Sequence, residues 1–453
     1  MPDQTLHFST ALLPSGWASD ACVSSTNGVI TKVETGVPPP PGASRHAIAL
    51  PGMPNLHSHA FQRAMAGMAE ARGHSADSFW TWREAMYRFV GRIGPQQLRD
   101  IAAMAQVEML ESGFTRVGEF HYLHHDVTGA PFADSAEMSR AVIDAASETG
   151  IALTHLPVFY AFAGFGRRAP EESQRRFVTD LDGFAQLVED CRQATSALPD
   201  AVVGVAPHSL RAVDVAQLRA VAALADGAPI HIHIAEQSRE VEECLAHHGA
   251  RPVEWLLDHA PVGPDWCLVH ATHIEEREIS GIAKSGAVVG LCPITEANLG
   301  DGIFPASDFL AARGRIGVGS DSNVLIDLTE ELRLLEYGQR LTRRARNVLA
   351  SDEIRSTGMR LFDAALAGGS RALGASGGIA TGNSADIVAL DSAHPALAGK
   401  QGDAILDSLI FAGGRSLISD VWRAGRHVVT GGKHVAREAA QRRYRETLAA
   451  LLA

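Results

Sequence analysis

The segment Pro51-Gly-Met-Pro-Asn-Leu-His57-Ser-His59 sets two imidazoles two positions apart. Alternate side chains of a β-strand share a face, so at a strand end His57 and His59 can turn toward one point. Three later segments end in similar residues: Ile230-His231-Ile232-His233, Leu268-Val269-His270 and Gly317-Val-Gly-Ser-Asp321. Three imidazoles and a carboxylate suit one divalent transition metal and leave a position for water. We assign His57, His59, His233 and Asp321 as ligands, with His231 the alternative to His233. Zinc is the expected ion, and iron or another divalent ion also suits these donors. Such a metal lowers the pKa of bound water toward about 7.

Glu236 follows His233 by three residues, in His233-Ile-Ala-Glu236. A carboxylate there can accept a proton from water and deliver it to a leaving nitrogen. The competing reading is a helix N-terminal residue that favours the dipole, since Gln237-Ser-Arg-Glu240 begins a helical stretch. His270 and Asp321 are expected to hold or deprotonate the water, and His273 reads as an ordinary polar residue. Glu296 and Asn298 rank below these as residues facing the site.

Positioning these groups requires several strand ends to meet. From about residue 54, short apolar runs alternate with longer amphipathic ones. The runs are one ending near Leu56, then 114–119, 152–159, 201–206, 229–234, 266–270, 287–292 and 315–319. Strands alternating with helices imply a parallel sheet with right-handed crossovers. Eight such units predict an α/β fold, a closed (β/α)8 TIM-type barrel, with catalytic residues at the C-terminal strand ends. Residues 98–112 read as one of the helices, stopping at Gly113.

Short strand-like runs at 28–33 and 46–50 flank the loop Val37-Pro-Pro-Pro-Pro-Gly42. Others follow at 385–390, 408–412 and 421–430, with Gly431-Gly432 as a turn. We expect 1–53 and 376–435 to build one small β-sandwich domain from both chain ends. The barrel would span 54–375 and a C-terminal helix 436–453.

The 453 residues carry 40 basic and 52 acidic side chains, a formal charge of −12. That balance argues against nucleic acid as a partner, although a local pocket can oppose it. The five cysteines are scattered without a CxxC pair, which suits reduced thiols in the cytoplasm. The start MPDQTLHFSTALL lacks the pattern of a secretory signal, and no run is long enough to predict a membrane span. The basic cluster 340–346 reads as a solvated helix face.

The HxH, the later histidines and Asp321, and the split β domain resemble the amidohydrolase superfamily across nearly the whole chain. HIAE resembles the HxxE of its deaminase branch, which uses one metal. The fourth strand end, Val205-Ala-Pro-His208, has no lysine to carboxylate, in keeping with a mononuclear site. Longer stretches are similar to the formimidoylglutamate deiminases. They are Pro54-Asn-Leu-His-Ser-His-Ala-Phe-Gln-Arg-Ala-Met65, Phe79-Trp-Thr-Trp-Arg-Glu-Ala-Met86, Glu119-Phe-His-Tyr-Leu-His124 and Ala206-Pro-His-Ser-Leu-Arg211.

The resemblance implies hydrolysis of N-formimino-L-glutamate to N-formyl-L-glutamate and ammonia, in histidine degradation, by a homodimer. Its substrate has two carboxylates, which arginine forks match best. Arg83 and Arg211 lie in the similar segments, and Gln62, Tyr122 and His208 match the remaining binding positions. Read alone, Arg83 suits stacking on an aromatic ring, Tyr122 a core position, and Arg211 a helix cap or a pair with Asp214. The rival activities are deamination of a purine, pyrimidine or triazine, and amide or cyclic-imide hydrolysis. A rival of another class is a catalytically silent metal- or ligand-binding protein.

Overall fold

The computed structural model describes residues 4–71 and 79–453. Residues 1–3 of the N-terminal segment, and 72–78 of the excursion after the first barrel strand, lie outside the described residues.

Eight parallel strands form the barrel. They are β1 (Met53–Ser58), β2 (Phe114–His121), β3 (Ala152–Phe159), β4 (Val202–Val203, resumed at Ala206–Pro207), β5 (Ile230–Ile234), β6 (Trp266–His270), β7 (Val288–Leu291) and β8 (Arg315–Val318). Most are buried along their whole length, as expected for strands covered by helices on one side and barrel core on the other. β4 is the irregular one. Pro207 has no N–H to donate, and a side chain at Gly204 would meet the Pro229 carbonyl oxygen at 2.3 Å.

Two seams close the ring. On one side, the Val205 and His233 amides donate to the Pro229 and His208 carbonyls, each at 3.0 Å. On the other, β8 returns to β1: the Asp321 amide donates to the His57 carbonyl and the His59 amide to the Asp321 carbonyl, both at 2.9 Å. Gly319 permits this approach, because an added Cβ would lie 2.7 Å from the His57 backbone nitrogen and oxygen.

A second, eight-stranded mixed sheet comes from both chain ends. Its order is Lys433–His434, Arg426–Thr430, Ile418–Arg423, Ile387–Leu390, Ser44–Pro51, Gln4–Leu13, Gly16–Thr26 and Val29–Glu34. Ser44–Pro51, beside Ile387–Leu390, runs through Gly52 directly into β1. Phe8 and Trp422 meet edge-on in its core, with ring centroids 6.2 Å apart. Asp200 ties the sheet to the barrel, taking Arg116 at 2.8 Å and Arg423 at 2.5 Å.

Some local expectations need correction. Residues 408–412 are helical: the α-helix Ala404–Ser408 passes into a π-turn, Leu409–Gly413. A short apolar run has no period that separates a strand from a buried helical turn. The run 421–430 is two strands joined at Ala424-Gly425, whose φ values of 47° and 71° make a tight hairpin. The longest strands of the end sheet, Gln4–Leu13 and Gly16–Thr26, form a hairpin that the sequence reading left unmarked. The helix expected at 98–112 is Pro95–Glu111, and Gly113 follows with φ 90°. Among the described residues no helix is long and apolar enough to cross a membrane.

Candidate active site

The C-terminal ends of β1, β5 and β8 bring His57, His59, His233 and Asp321 together, with one ligand atom from each lying within 4.8 Å of the others. Nε2 of His57 and Nε2 of His59 stand 3.4 Å and 3.3 Å from Asp321 Oδ1. Nε2 of His233 faces Nε2 of His57 at 3.0 Å. Nδ1 of His59 donates to the Phe120 carbonyl at 2.9 Å, which turns its Nε2 lone pair toward the cluster. His231, the alternative ligand, instead points its Nε2 at the Ala372 carbonyl, 2.7 Å away.

Burial lowers the imidazole pKa values, that of His57 to about 3 and that of His233 well below its ordinary value. Burial pushes the Asp321 carboxyl up, but the His57 hydrogen bond and the positive charge of His270 hold it below the usual carboxylate range. Neutral imidazoles around one carboxylate fit a single divalent ion. A cation between His57 and His233 satisfies two nitrogens that otherwise confront each other.

A hydrogen-bond network pins these strand ends. Asn323 Nδ2 donates to Ser58 Oγ and to the His59 and Asp321 carbonyls, each at 3.1 Å. Asn55 and Ser320 bond reciprocally beneath them, at 2.7 Å and 3.0 Å. Glu119 accepts from the Ala60 amide at 2.7 Å, just past His59. Sequence reasoning gave these residues no role. Their available signal was a set of amides, hydroxyls and a carboxyl beside the ligands.

Glu236, only 5% exposed, reaches the cavity because Ala235 takes a left-handed φ of 49° and turns the chain after β5. His270 and Asp321 are also left-handed, at 68° and 44°. Such residues cost about 1–3 kcal/mol each and cluster where a site constrains the backbone. Burial raises the Glu236 carboxyl to about 7, against the opposing charges of His270 and Arg211. His270 presents Nε2 at 3.9 Å from both Glu236 and Asp321. Its Nδ1 lies 3.2 Å from Glu296 Oε1, an oxygen that also accepts from the Cys292 amide at 2.9 Å. Burial works against the His270 imidazolium, but Glu236, Glu296 and Asp321 outweigh it and raise its pKa.

These groups open into a cavity of about 60 Å³ that Gln62, Arg83, Tyr122, His208 and Arg211 also line. His59, His233, Glu236, His270 and Asp321 are on its wall, and His57 lies behind them. Gln62 Nε2 donates to the Tyr122 hydroxyl at 2.9 Å. Arg211 is buried, and its Nε has no hydrogen-bond partner. Asp214 pairs with Arg167 and caps the following helix, so Arg211 is not its partner. Arg83 does stack, 4.9 Å from the Trp80 centroid and 5.3 Å from that of Tyr87, while still lining the cavity. Asn298 is exposed and donates to Glu70, which takes it away from the cavity.

Residues 48–433 match the amidohydrolase family, and residues 4–47 match the N-terminal domain of formimidoylglutamate deiminase HutF. The formimidoylglutamate deiminase of Pseudomonas aeruginosa is 49% identical over 445 residues, covering 98% of both chains. A solved amidohydrolase from Brucella melitensis is similar with a TM-score of 0.96 and 52% identity, covering 99% of this chain and 100% of that one. An adenosine deaminase from Xanthomonas campestris with bound zinc shares the fold at TM-score 0.80 and 24% identity, covering 99% of each chain.

Proposed function

The chain belongs to the amidohydrolase family, and on that footing we propose that it hydrolyses N-formimino-L-glutamate to N-formyl-L-glutamate and ammonia, in histidine degradation. One observation carries the reading. Arg83 and Arg211 face the same cavity as Glu236 and the His/Asp cluster, and among the described residues neither has an ion pair with a carboxylate. Two unpaired guanidiniums in one enclosure call for a dianion. A heterocyclic amine, such as the named substrate of the Xanthomonas campestris relative, would offer neither guanidinium a carboxylate.

In this reading Arg83 and Arg211 take the two substrate carboxylates, with Gln62, Tyr122 and His208 as further polar partners. The formimino carbon then lies toward Glu236, His270 and Asp321. A divalent ion held by His57, His59, His233 and Asp321 supplies Lewis acidity and an acidified water. Zinc is the proposed ion, since it accepts three imidazoles and a carboxylate.

His270 and Asp321 orient the attacking water. Glu236 accepts its proton and passes it to the amidine nitrogen; as the tetrahedral adduct collapses, Asp321 takes the hydroxyl proton and that nitrogen leaves as ammonia. A carboxyl near pKa 7 suits both halves of that transfer at neutral pH.

The test is ammonia release from N-formimino-L-glutamate, with adenosine as the comparison substrate. Rapid release from the diacid alone is the expected result. Release from adenosine alone would overturn the assignment.

We also propose a cytoplasmic homodimer. The five buried, unpaired cysteines support a reducing compartment. The dimer rests on the family likeness, and light scattering tests it.

A further inference from the structure

Outside the catalytic cavity lies a larger groove, of about 780 Å³. Six arginines line it, Arg83, Arg88, Arg168, Arg175, Arg176 and Arg239, against the glutamates Glu84, Glu171 and Glu172. Six positive and three negative lining side chains, with Glu243 paired to Arg239 at 2.7 Å, leave a local balance of +2, on a chain whose total is −12. The groove meets the inner cavity at Arg83 and Tyr87, which line both.

Two features set this groove apart from an ordinary solvated face. Arg176 is buried under it and bonds only main-chain carbonyls, with Nε on His125 at 2.9 Å and Nη1 on Val90 at 2.5 Å. Its Nη2 has no partner, and among the described residues no carboxylate pairs with it. Trp80, on the groove wall, is stacked by three guanidiniums, Arg239 at 4.5 Å, Arg83 at 4.9 Å and Arg211 at 5.7 Å. Stacking holds a guanidinium by its face and leaves its N–H edge for an anion; on Arg239 that edge already holds the Glu243 carboxylate, through Nε at 2.7 Å. The three arginines therefore run from the groove, through Arg83, to the inner cavity.

We propose that this groove is an outer carboxylate-binding site, which captures a dicarboxylate and hands it inward past Arg83. This rests on the dicarboxylate reading above. At physiological salt, charges beyond about 8 Å are largely screened, so the groove's own excess outweighs the acidic remainder of the chain.

Arg88 and Arg239 are exposed and outside the catalytic machinery, so R88E, R239E and the double variant test the site, with R239Q as the charge-neutral control. Kinetics are compared from about 0.02 M to about 0.5 M salt. We expect an unchanged kcat and, in the double variant, a KM about tenfold higher at low salt that converges on the parent at high salt. R239Q should fall between the parent and R239E. A double variant within twofold of the parent at every salt overturns the proposal. So does a loss confined to kcat that salt does not relieve.

Glutarate binding, followed by calorimetry, separates the two readings. Weaker binding to the double variant supports the groove whether or not the parent releases ammonia, and equal affinity overturns it. Absence of ammonia release from the parent counts against the catalytic reading alone.

Discussion

Nε2 of His57 and Nε2 of His233 confront each other at 3.0 Å, from strands 176 positions apart in the chain. Both rings are buried and neutral, so the contact is favourable only with a proton or a cation between them. Ligand binding to the folded state adds about 4 kcal/mol when free metal exceeds Kd a thousandfold. Chelation should therefore lower the melting temperature measurably, and zinc should restore it. The Asp321→Ala protein should show neither effect, and retain far less than one metal per chain by elemental analysis.

Replacing Glu236 by Gln should cut kcat at least about 10²-fold while metal content stays at the parent level. Gln preserves the shape but cannot carry the proton. Turnover near that of the parent would remove Glu236 from the proton path.

Arg211→Gln should lower kcat/KM for the diacid by about 10²-fold or more, since a buried charge left without its partner costs about 3–5 kcal/mol. Arg83→Gln should lose less, because Arg83 is only half-buried and stacks on Trp80. Equal catalytic efficiency in both variants would move the carboxylate site elsewhere.

Glu296→Ala should lower kcat more than it raises KM, because the Nδ1 contact to His270 is lost while the arginines stay in place. Glu296→Gln keeps an acceptor oxygen and should recover part of kcat. The one-bond 15N–1H signal of His270 Nδ1, seen in the parent, should vanish in the Ala protein.

Stability should fall on acidification for a reason unconnected with the cavity. His124 and His155 are buried, and burial lowers their pKa values to about 4 and about 3. In the unfolded chain they take up protons near pH 6.5, whereas the folded chain resists until pH 4 or below. Their contribution is thus complete above about pH 6.5 and is lost as pH falls, at about 1.4 kcal/mol per pH unit for each. Urea unfolding at pH 7 and pH 5 measures this, and His155→Leu should flatten the slope.

That His57, His59, His233, Asp321 and Glu236 come together was legible because chemistry imposes spacing on such groups. Two imidazoles on one strand face must be two apart, and an apolar run ending in His or Asp marks a barrel strand end. Arg83 shows the limit of such reasoning: its aromatic neighbours suggested stacking and its segment suggested substrate, and the fold places it in both settings. Glu296 ranked low because its partner, His270, is 26 positions away and no local pattern links them. Residues 408–412 were misread as a strand because so short an apolar run carries no period that distinguishes helix from strand. The stacking of Arg211 and Arg239 on Trp80 joins residues more than 130 positions apart, beyond what spacing along the chain encodes.

The β8–β1 seam has a bearing on how the protein comes to exist. Asp321 and the His57-Ser-His59 segment are held by main-chain bonds to each other, so the first and last barrel strands meet at the metal ligands themselves. A growing chain that has not emerged past Asp321 holds three imidazoles on an open ring with no carboxylate among them. With this proposed ligand set, metal loading should be an event of the completed barrel, with the cation as a clasp that records closure. Nascent chains stalled before residue 321 should remain metal-free in cells that fully load the finished protein.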